Sequence, residues 1–167
     1  MKPLHAPWRI QYILGPKPPS SESSIFSQMA AHPEDDEKNY IIARGETCFA
    51  VLNTYPYNGG HLMVIPFRQI PSIGELTDKE LLEIMRMVQT CQTALLKTMH
   101  PDGFNIGINQ GRVAGAGIAE HLHIHVVPRW NGDSNFMPVI AETSVLPQAL
   151  SELAANLRKV ISDLTTS

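Results

Sequence analysis

The segment His121-Leu122-His123-Ile124-His125-Val126-Val127 is the most informative part of this sequence. Side chains on a β-strand alternate between its two faces, so the three histidines are predicted to share one face while the apolar residues between them point into the core. Three titratable rings in a row suit a nucleophile flanked by proton donors, or a metal ion. The alternative is a half-buried strand whose histidines are ordinary surface residues.

Regular structure is predicted on both sides of this strand. Strands are expected at about 40–43, 47–52, 61–65 and 104–108, and helices at about 25–31, 78–99 and 150–164. The long helix has the clearest start, because Thr77 and Glu80 form a Thr-x-x-Glu capping box in front of apolar residues at helical spacing. Together these segments predict an α+β fold, in which an antiparallel sheet of about five strands carries one long packed helix and a C-terminal helix.

Composition divides the chain into an arm, a domain and a tail. Residues 1–24 are rich in proline and serine and are predicted to form an extended arm. Residues 25–140 contain the strands and the long helix and are predicted to form the domain. Residues 141–167 are predicted to be a helical tail that packs on this domain.

Bulk properties argue against several classes of partner. A chain of 167 residues is long enough for one domain with a real core, and its formal net charge of -3 offers no polybasic surface to nucleic acid or to an anionic membrane. No apolar run reaches the roughly 18 residues of a membrane span. Because the N-terminus also shows no signal-peptide apolar region, a cytoplasmic location is expected. Cys48 and Cys91 fall in apolar segments and are predicted to be buried free thiols.

The histidine stretch resembles the His-φ-His-φ-His-φ-φ signature of the histidine-triad (HIT) family of nucleotide hydrolases and transferases, where φ is an apolar residue. The resemblance covers roughly residues 40–138 and includes the segment from Asn53 to Pro66. Residues 6–9, 115–118 and 128–138 look similar to the bacterial branch that includes diadenosine tetraphosphate phosphorylases. The resemblance implies a HIT-like fold.

The resemblance also implies roles for single residues. A neutral imidazole can attack phosphorus, and the family pattern places this role on His123, with a covalent nucleotidyl-histidine as the intermediate. It implies that His125 donates to a phosphate oxygen and that His121 buttresses the site. The nucleotide- and phosphate-binding residues that it implies are Asn53 for the ribose, Val51 for the base, Asn109 for the phosphate or bridging oxygen, and Gly115, Gly117 and Ile118 of a glycine loop.

Some of these residues also allow simpler roles. Asn109 fits an ordinary turn at a strand end, and Val51 fits plain core packing. Arg112 and Arg129 are the nearest cations for the outer phosphates of a long polyphosphate, or are solvated surface charges.

One departure from the family concerns zinc. Many members carry Cys-x-x-Cys where this chain has Ser24-Ile25-Phe26-Ser27, and in those members the cysteines join histidines equivalent to His61 and His121 around the metal. Serine hydroxyls are poor zinc ligands, so the structural zinc is predicted to be lost and no other cofactor is expected. His61 and His121 would then remain as hydrogen-bonding or packing residues. The alternative is a metal site that His32 forms with these two histidines.

The resemblance implies a nucleotidyl-transfer enzyme that cleaves dinucleoside polyphosphates such as diadenosine tetraphosphate. Hydrolytic relatives more often carry a glutamine and a hydroxyl residue where this loop reads Gly115-Ala116-Gly117-Ile118, so phosphorolysis to ADP and ATP, with inorganic phosphate as co-substrate, is expected. One alternative is a hydrolase of dinucleoside polyphosphates or nucleoside phosphoramidates that releases AMP. The other is a non-catalytic module that binds metal or senses nucleotides.

A homodimer is predicted from the helix at 78–99 and the strand after Pro101. These elements offer more apolar surface than a small sheet needs, and relatives pair through equivalent elements. Met85, Met87 and Met99 equally fit the core of a monomer.

Overall fold

The computed structural model describes residues 23–133 and 149–166. In chain order its helices and strands are α1 (Ile25–Ala31), β1 (Ile41–Arg44), β2 (Cys48–Leu52), β3 (Leu62–Pro66), α2 (Asp78–Met99), β4 (Gly103–Ile108), β5 (Ile124–Arg129) and α3 (Leu150–Thr165). The predicted arm, except Ser23 and Ser24, and the segment 134–148 lie outside the described residues.

The five strands form one antiparallel sheet in the order β1-β2-β3-β5-β4. The predicted α+β architecture is therefore confirmed. The first strand begins one residue later than predicted, because Tyr40 has a φ of 57° and its left-handed backbone cannot continue a strand. The capping box of α2 is present, since Thr77 accepts from the backbone N–H of Glu80 and the Glu80 side chain bonds back to Thr77.

The two faces of the sheet have different coverings. On one face the apolar residues of α2 and α3 pack against Ala50, Leu52, Val64 and Val126. On the other face α1 contributes Phe26 to a smaller cluster, whose other buried members are Ile41, Phe49, Val51, Met63 and Ile65. Strand register places Ile41 opposite Val51, Val51 opposite Met63 and Met63 opposite His125. One row of side chains therefore crosses the α1 face of the sheet and ends at a histidine.

The histidine stretch is not a strand along its whole length, and this prediction was wrong in detail. Strand β5 begins at Ile124, whose partner is Val64. Before that point the backbone N–H of Leu122 donates to the carbonyl of Ile70 at 2.7 Å, so the chain leaves the sheet ladder there. The apolar residues between the histidines are nevertheless buried as predicted.

Other side chains follow the simpler expectations. Cys48 and Cys91 are free and buried, and burial raises the pKa of both thiols to about 12. Met87 and Met99 pack against the core, whereas Met85 is 53% exposed. Within the described ranges, every helix is too short or too polar to span a bilayer.

Candidate active site

A single backbone carbonyl determines which nitrogen of His123 carries the proton. Its Nδ1 lies 2.9 Å from the carbonyl oxygen of His121. A carbonyl only accepts, so Nδ1–H donates and the neutral ring keeps its lone pair on Nε2. Burial lowers the pKa of His123 below its ordinary value of 6.5, against the opposing effect of this hydrogen bond. The ring that lines the cavity is therefore neutral near pH 7 and has an unprotonated nitrogen.

His121 lies behind this nucleophile candidate and does not line the cavity. Its Nε2–H donates to the carbonyl of Pro66 at 2.8 Å, so its Nδ1 accepts, and the Ser24 hydroxyl donates to Nδ1 at 2.6 Å. The side chain is fully buried, and desolvation lowers its pKa. Phe26 contacts both rings, with centroid distances of 5.5 Å to His121 and 5.4 Å to His123.

His125 is oriented by a second chain of hydrogen bonds. The backbone N–H of Tyr57 donates to Nδ1 of His61 at 3.0 Å, so Nε2 of His61 carries the proton and donates to Nδ1 of His125 at 2.9 Å. The remaining nitrogen of His125, Nε2, is then protonated and able to donate. The Tyr57 ring stacks on His61 with a centroid distance of 4.9 Å and holds it in place. The resemblance to the family identifies His61 from the sequence. Its hydrogen-bond partner, His125, becomes apparent only in the structure, where β3 pairs with β5.

The rings of His123 and His125 lie 4.9 Å apart at one end of a cavity of about 130 Å³. An unprotonated nitrogen beside a protonated one suits attack on phosphorus together with neutralisation of the charge that develops on oxygen. The cavity is lined by Ile25, Phe26, Met29, Asn39, Val51, Leu52, Asn53, Thr54, Tyr55, Tyr57, Met63, Gly115, Gly117, Ile118, His123 and His125.

The structure brings most of the predicted binding residues to this cavity. Asn53 lines it, and its amide oxygen already accepts from the backbone N–H of Tyr55 at 2.9 Å. Val51 lines the cavity and is also 2% exposed within the smaller core cluster, so it packs in the core as predicted and its predicted contact with the base stays a prediction.

The glycine loop forms part of the wall of the same cavity. Gly115 and Gly117 line the cavity with Ile118, and Gly115 has a φ of 87° that favours glycine. Asn109 does not line the cavity but stands behind the loop, since a Cβ on Gly115 would lie 3.7 Å from its Nδ2. The loop therefore brings backbone to the cavity with little side-chain bulk.

The two arginines predicted to meet outer phosphates are not equivalent. Arg129 forms a bidentate pair with Asp133 and donates its third hydrogen bond to Asn105 at 2.7 Å. This arginine holds the pKa of Asp133 at about 2. The guanidinium of Arg129 thus already bonds to other side chains of the protein, whereas Arg112 is exposed in the glycine loop.

The residues at the zinc position do not fit that metal. Ser24 and Ser27 supply only hydroxyl oxygens, and both nitrogens of His121 are engaged by Ser24 and the Pro66 carbonyl. His61 faces His125 instead, and His32 is exposed and bonded to Glu34. Within residues 23–133 and 149–166 no three potential ligands from His, Cys, Asp and Glu come together.

The fold and the paired histidines define a class of protein, and similarity to known proteins identifies it. Residues 34–132 match the family model described as the HIT domain, and the chain belongs to the HIT family. The AP-4-A phosphorylase of Mycobacterium tuberculosis is 42% identical over 153 residues, which cover 89% of this chain and 78% of that protein.

A less similar relative and a solved structure also match this chain. The asymmetrical bis(5′-nucleosyl)-tetraphosphatase of Schizosaccharomyces pombe is 33% identical over 93 residues, which cover 56% of this chain and 50% of that protein. Among solved structures, a Zn-bound histidine triad family protein from Mycobacterium smegmatis superposes with a TM-score of 0.69 at 25% identity, covering 87% of this chain and 97% of that one.

Proposed function

We propose that this chain is a nucleotidyl-transfer enzyme that cleaves dinucleoside polyphosphates, diadenosine tetraphosphate among them, by phosphorolysis. The observation that carries the proposal is the lone pair on Nε2 of His123, which the His121 carbonyl keeps free inside the cavity. The relative named AP-4-A phosphorylase supports the substrate class.

The first half of the reaction forms a covalent intermediate. Nε2 of His123 attacks the α-phosphorus of one nucleoside, a P–N bond forms, and the bond from that phosphorus to the bridging oxygen breaks to release ATP. The ring becomes cationic, and the carbonyl of His121 stabilises it by accepting from Nδ1–H. The protonated Nε2 of His125 donates to an oxygen on which charge develops.

Inorganic phosphate completes the reaction. A phosphate oxygen attacks the same phosphorus, the P–N bond breaks, and ADP leaves with the neutral His123 restored. Gly115 and Gly117 line the cavity without side chains, which leaves room there for a second anion. Hydrolysis, in which water takes this place and AMP is released, is the second candidate, because the Schizosaccharomyces pombe relative is named a tetraphosphatase.

The experiment measures the products from diadenosine tetraphosphate as inorganic phosphate rises from zero. We expect a ping-pong rate that depends on phosphate, with ADP and ATP as products. His123→Asn is the control, because it should bind nucleotide and stay folded while turnover falls on the order of 10³-fold or more. A rate that ignores phosphate, with AMP as product, establishes the hydrolase instead, and no product with the wild type leaves only a nucleotide-sensing module.

A homodimer is part of the same proposal. Leu81, Leu82, Met85 and Leu96 on α2 are all exposed, and Ile106 on β4 is 45% exposed. Strand β4 is also an edge of the sheet, so its outer backbone groups remain available for pairing. A two-fold interface would cover both elements with the same surface of a second chain.

A further inference from the structure

Asn39 stands at the end of the cavity that is far from the reacting histidines. It precedes β1, and β1 is separated from β5 by β2 and β3. With neighbouring strands about 4.8 Å apart, three steps place the two ends roughly 14 Å from each other. Asn39 nevertheless lines the same cavity as His123 and His125. When an α-phosphate lies at the histidines, this distant end therefore receives the base.

The surroundings of Asn39 in the cavity are mainly apolar. The cavity that Asn39 shares with the histidines is also lined by Ile25, Phe26 and Met29 of α1 and by Val51 and Leu52 of β2. Apolar walls bind the faces of a base through surface burial, but they do not distinguish one base edge from another. Within residues 23–133 and 149–166 the side-chain amide of Asn39 makes no hydrogen bond to the protein. It thus has a donor and an acceptor available for a ligand.

The backbone around Asn39 is fixed. Its own N–H donates to the carbonyl of Asp35 at 2.9 Å, and the N–H of Ile41 donates to the carbonyl of Asp36 at 2.9 Å. The side chain of Asp36 is held in turn by a bidentate contact with Arg44. Tyr40 then takes a left-handed conformation, with a φ of 57°, that is rare for a bulky residue. A recognition group on such a rigid turn is preorganised for its ligand.

We propose that Asn39 reads the edge of the bound base and gives this site a preference for adenine. An asparagine amide matches the 6-amino group of adenine together with an adjacent ring nitrogen, because it accepts from the first and donates to the second. A base without the amino group leaves the Asn39 oxygen desolvated and unpaired. The inference rests on the proposed function for the orientation of the nucleotide, with phosphate at the histidines and base at the turn.

The test compares two nucleotides that differ only at the base edge. AMP carries the 6-amino group, and purine riboside 5′-monophosphate has hydrogen there. Calorimetric titration of the full chain should show wild-type protein binding AMP about tenfold more tightly, the effect of one good hydrogen bond. Asn39→Leu keeps the side-chain size and should bind both probes alike. Asn156→Leu, on the exposed part of α3, is the matched control and should keep the wild-type ratio.

Three results overturn the inference. If the wild-type protein binds both probes equally, Asn39 does not contact the 6-amino group, and no variant is needed to show it. An Asn39→Leu protein that weakens both probes equally shows a general packing role. If Asn39→Leu changes only the ratio of the affinities for AMP and 2′-deoxy-AMP, then Asn39 contacts the ribose and not the base. Cleavage of diadenosine tetraphosphate is measured separately. Selective binding of AMP without cleavage rejects the proposed enzyme activity but supports the role of Asn39. Cleavage without selective binding supports the enzyme activity and rejects the role of Asn39.

Discussion

At the scale of single residues, the site depends on which nitrogen of each ring holds a proton. Identical imidazoles in one short stretch acquire different states, because His121 and His123 each donate to a carbonyl while His125 accepts from His61. The result is an unprotonated nitrogen on His123 next to a protonated one on His125. The same rings with the opposite tautomers would have no nucleophile in the cavity.

The pH dependence of the reaction follows from the burial of His123. Its pKa lies below 6.5 because the charged ring would lose hydration in the cavity, so the neutral, reactive form persists as the pH falls through 6.5. We expect kcat/KM to decline on the acid side only below pH 6.5, measured at saturating phosphate in buffers of constant ionic strength. An acid limb centred above that value would show that the nucleophile is stabilised as a cation, and would contradict the mechanism.

At the scale of elements, helix α1 is attached to the site by its N-cap residue, Ser24. Ser24 caps the helix by accepting from the backbone N–H of Ser27 at 3.1 Å, and its hydroxyl donates to His121. The amide of Gln69 accepts from the backbone N–H of Ser24 at 2.7 Å and from the Ser27 hydroxyl at 2.9 Å. We propose that these hydrogen bonds join α1 to His121 in place of a metal ion, so protein purified without added metal should contain less than one zinc per chain.

Removing the Ser24 hydroxyl should affect both stability and rate. Ser24→Ala loses a helix cap and a buried hydrogen bond, and we expect a loss of about 1–3 kcal/mol in the free energy of unfolding, measured with urea. Without its donor, His121 is free to turn and shift the carbonyl that holds His123, so kcat should fall roughly 10-fold or more with little change in KM.

Ser24→Thr is the conservative variant that should restore kcat, because it keeps the hydroxyl. Ser27→Ala is the matched control, since the Ser27 hydroxyl lies 3.4 Å from the His121 ring and contributes less. Equal effects of the two alanine variants on kcat would argue against a positioning role for Ser24.

At the scale of the whole molecule, the exposed apolar residues on α2 and β4 predict a dimer. Light scattering at low micromolar concentration should give twice the chain mass of 18.5 kDa. Met85→Glu places a charge on this surface and should produce monomers, because a charge that the interface buries without a partner is costly. Ala155→Glu adds the same charge on the exposed part of α3 and should leave the dimer intact. A wild-type mass near 18.5 kDa would contradict the prediction.

The helices and strands were predictable because their causes are local. Helix α2 begins and ends where its capping box, its 3.6-residue periodicity and the following Pro101 place it. Apolar runs between turn residues predicted the first three strands, alternation predicted the last two, and the spacing of the three histidines identified the family. The errors were at points where backbone geometry departs from its local pattern, at Tyr40 and before Ile124.

The helices, the strands and the residue types of the site were predictable from the amino-acid sequence, but the tautomers of the histidines depend on contacts that form only in the folded chain. Ser24 meets His121 across 97 positions, His121 meets the Pro66 carbonyl across 55, and His61 meets His125 across 64. The position of Asn39 on the wall of the cavity that holds His123 is decided in the same way. A side chain's proton position depends on the atom opposite it, and sequence periodicity carries no information about which distant atom that is.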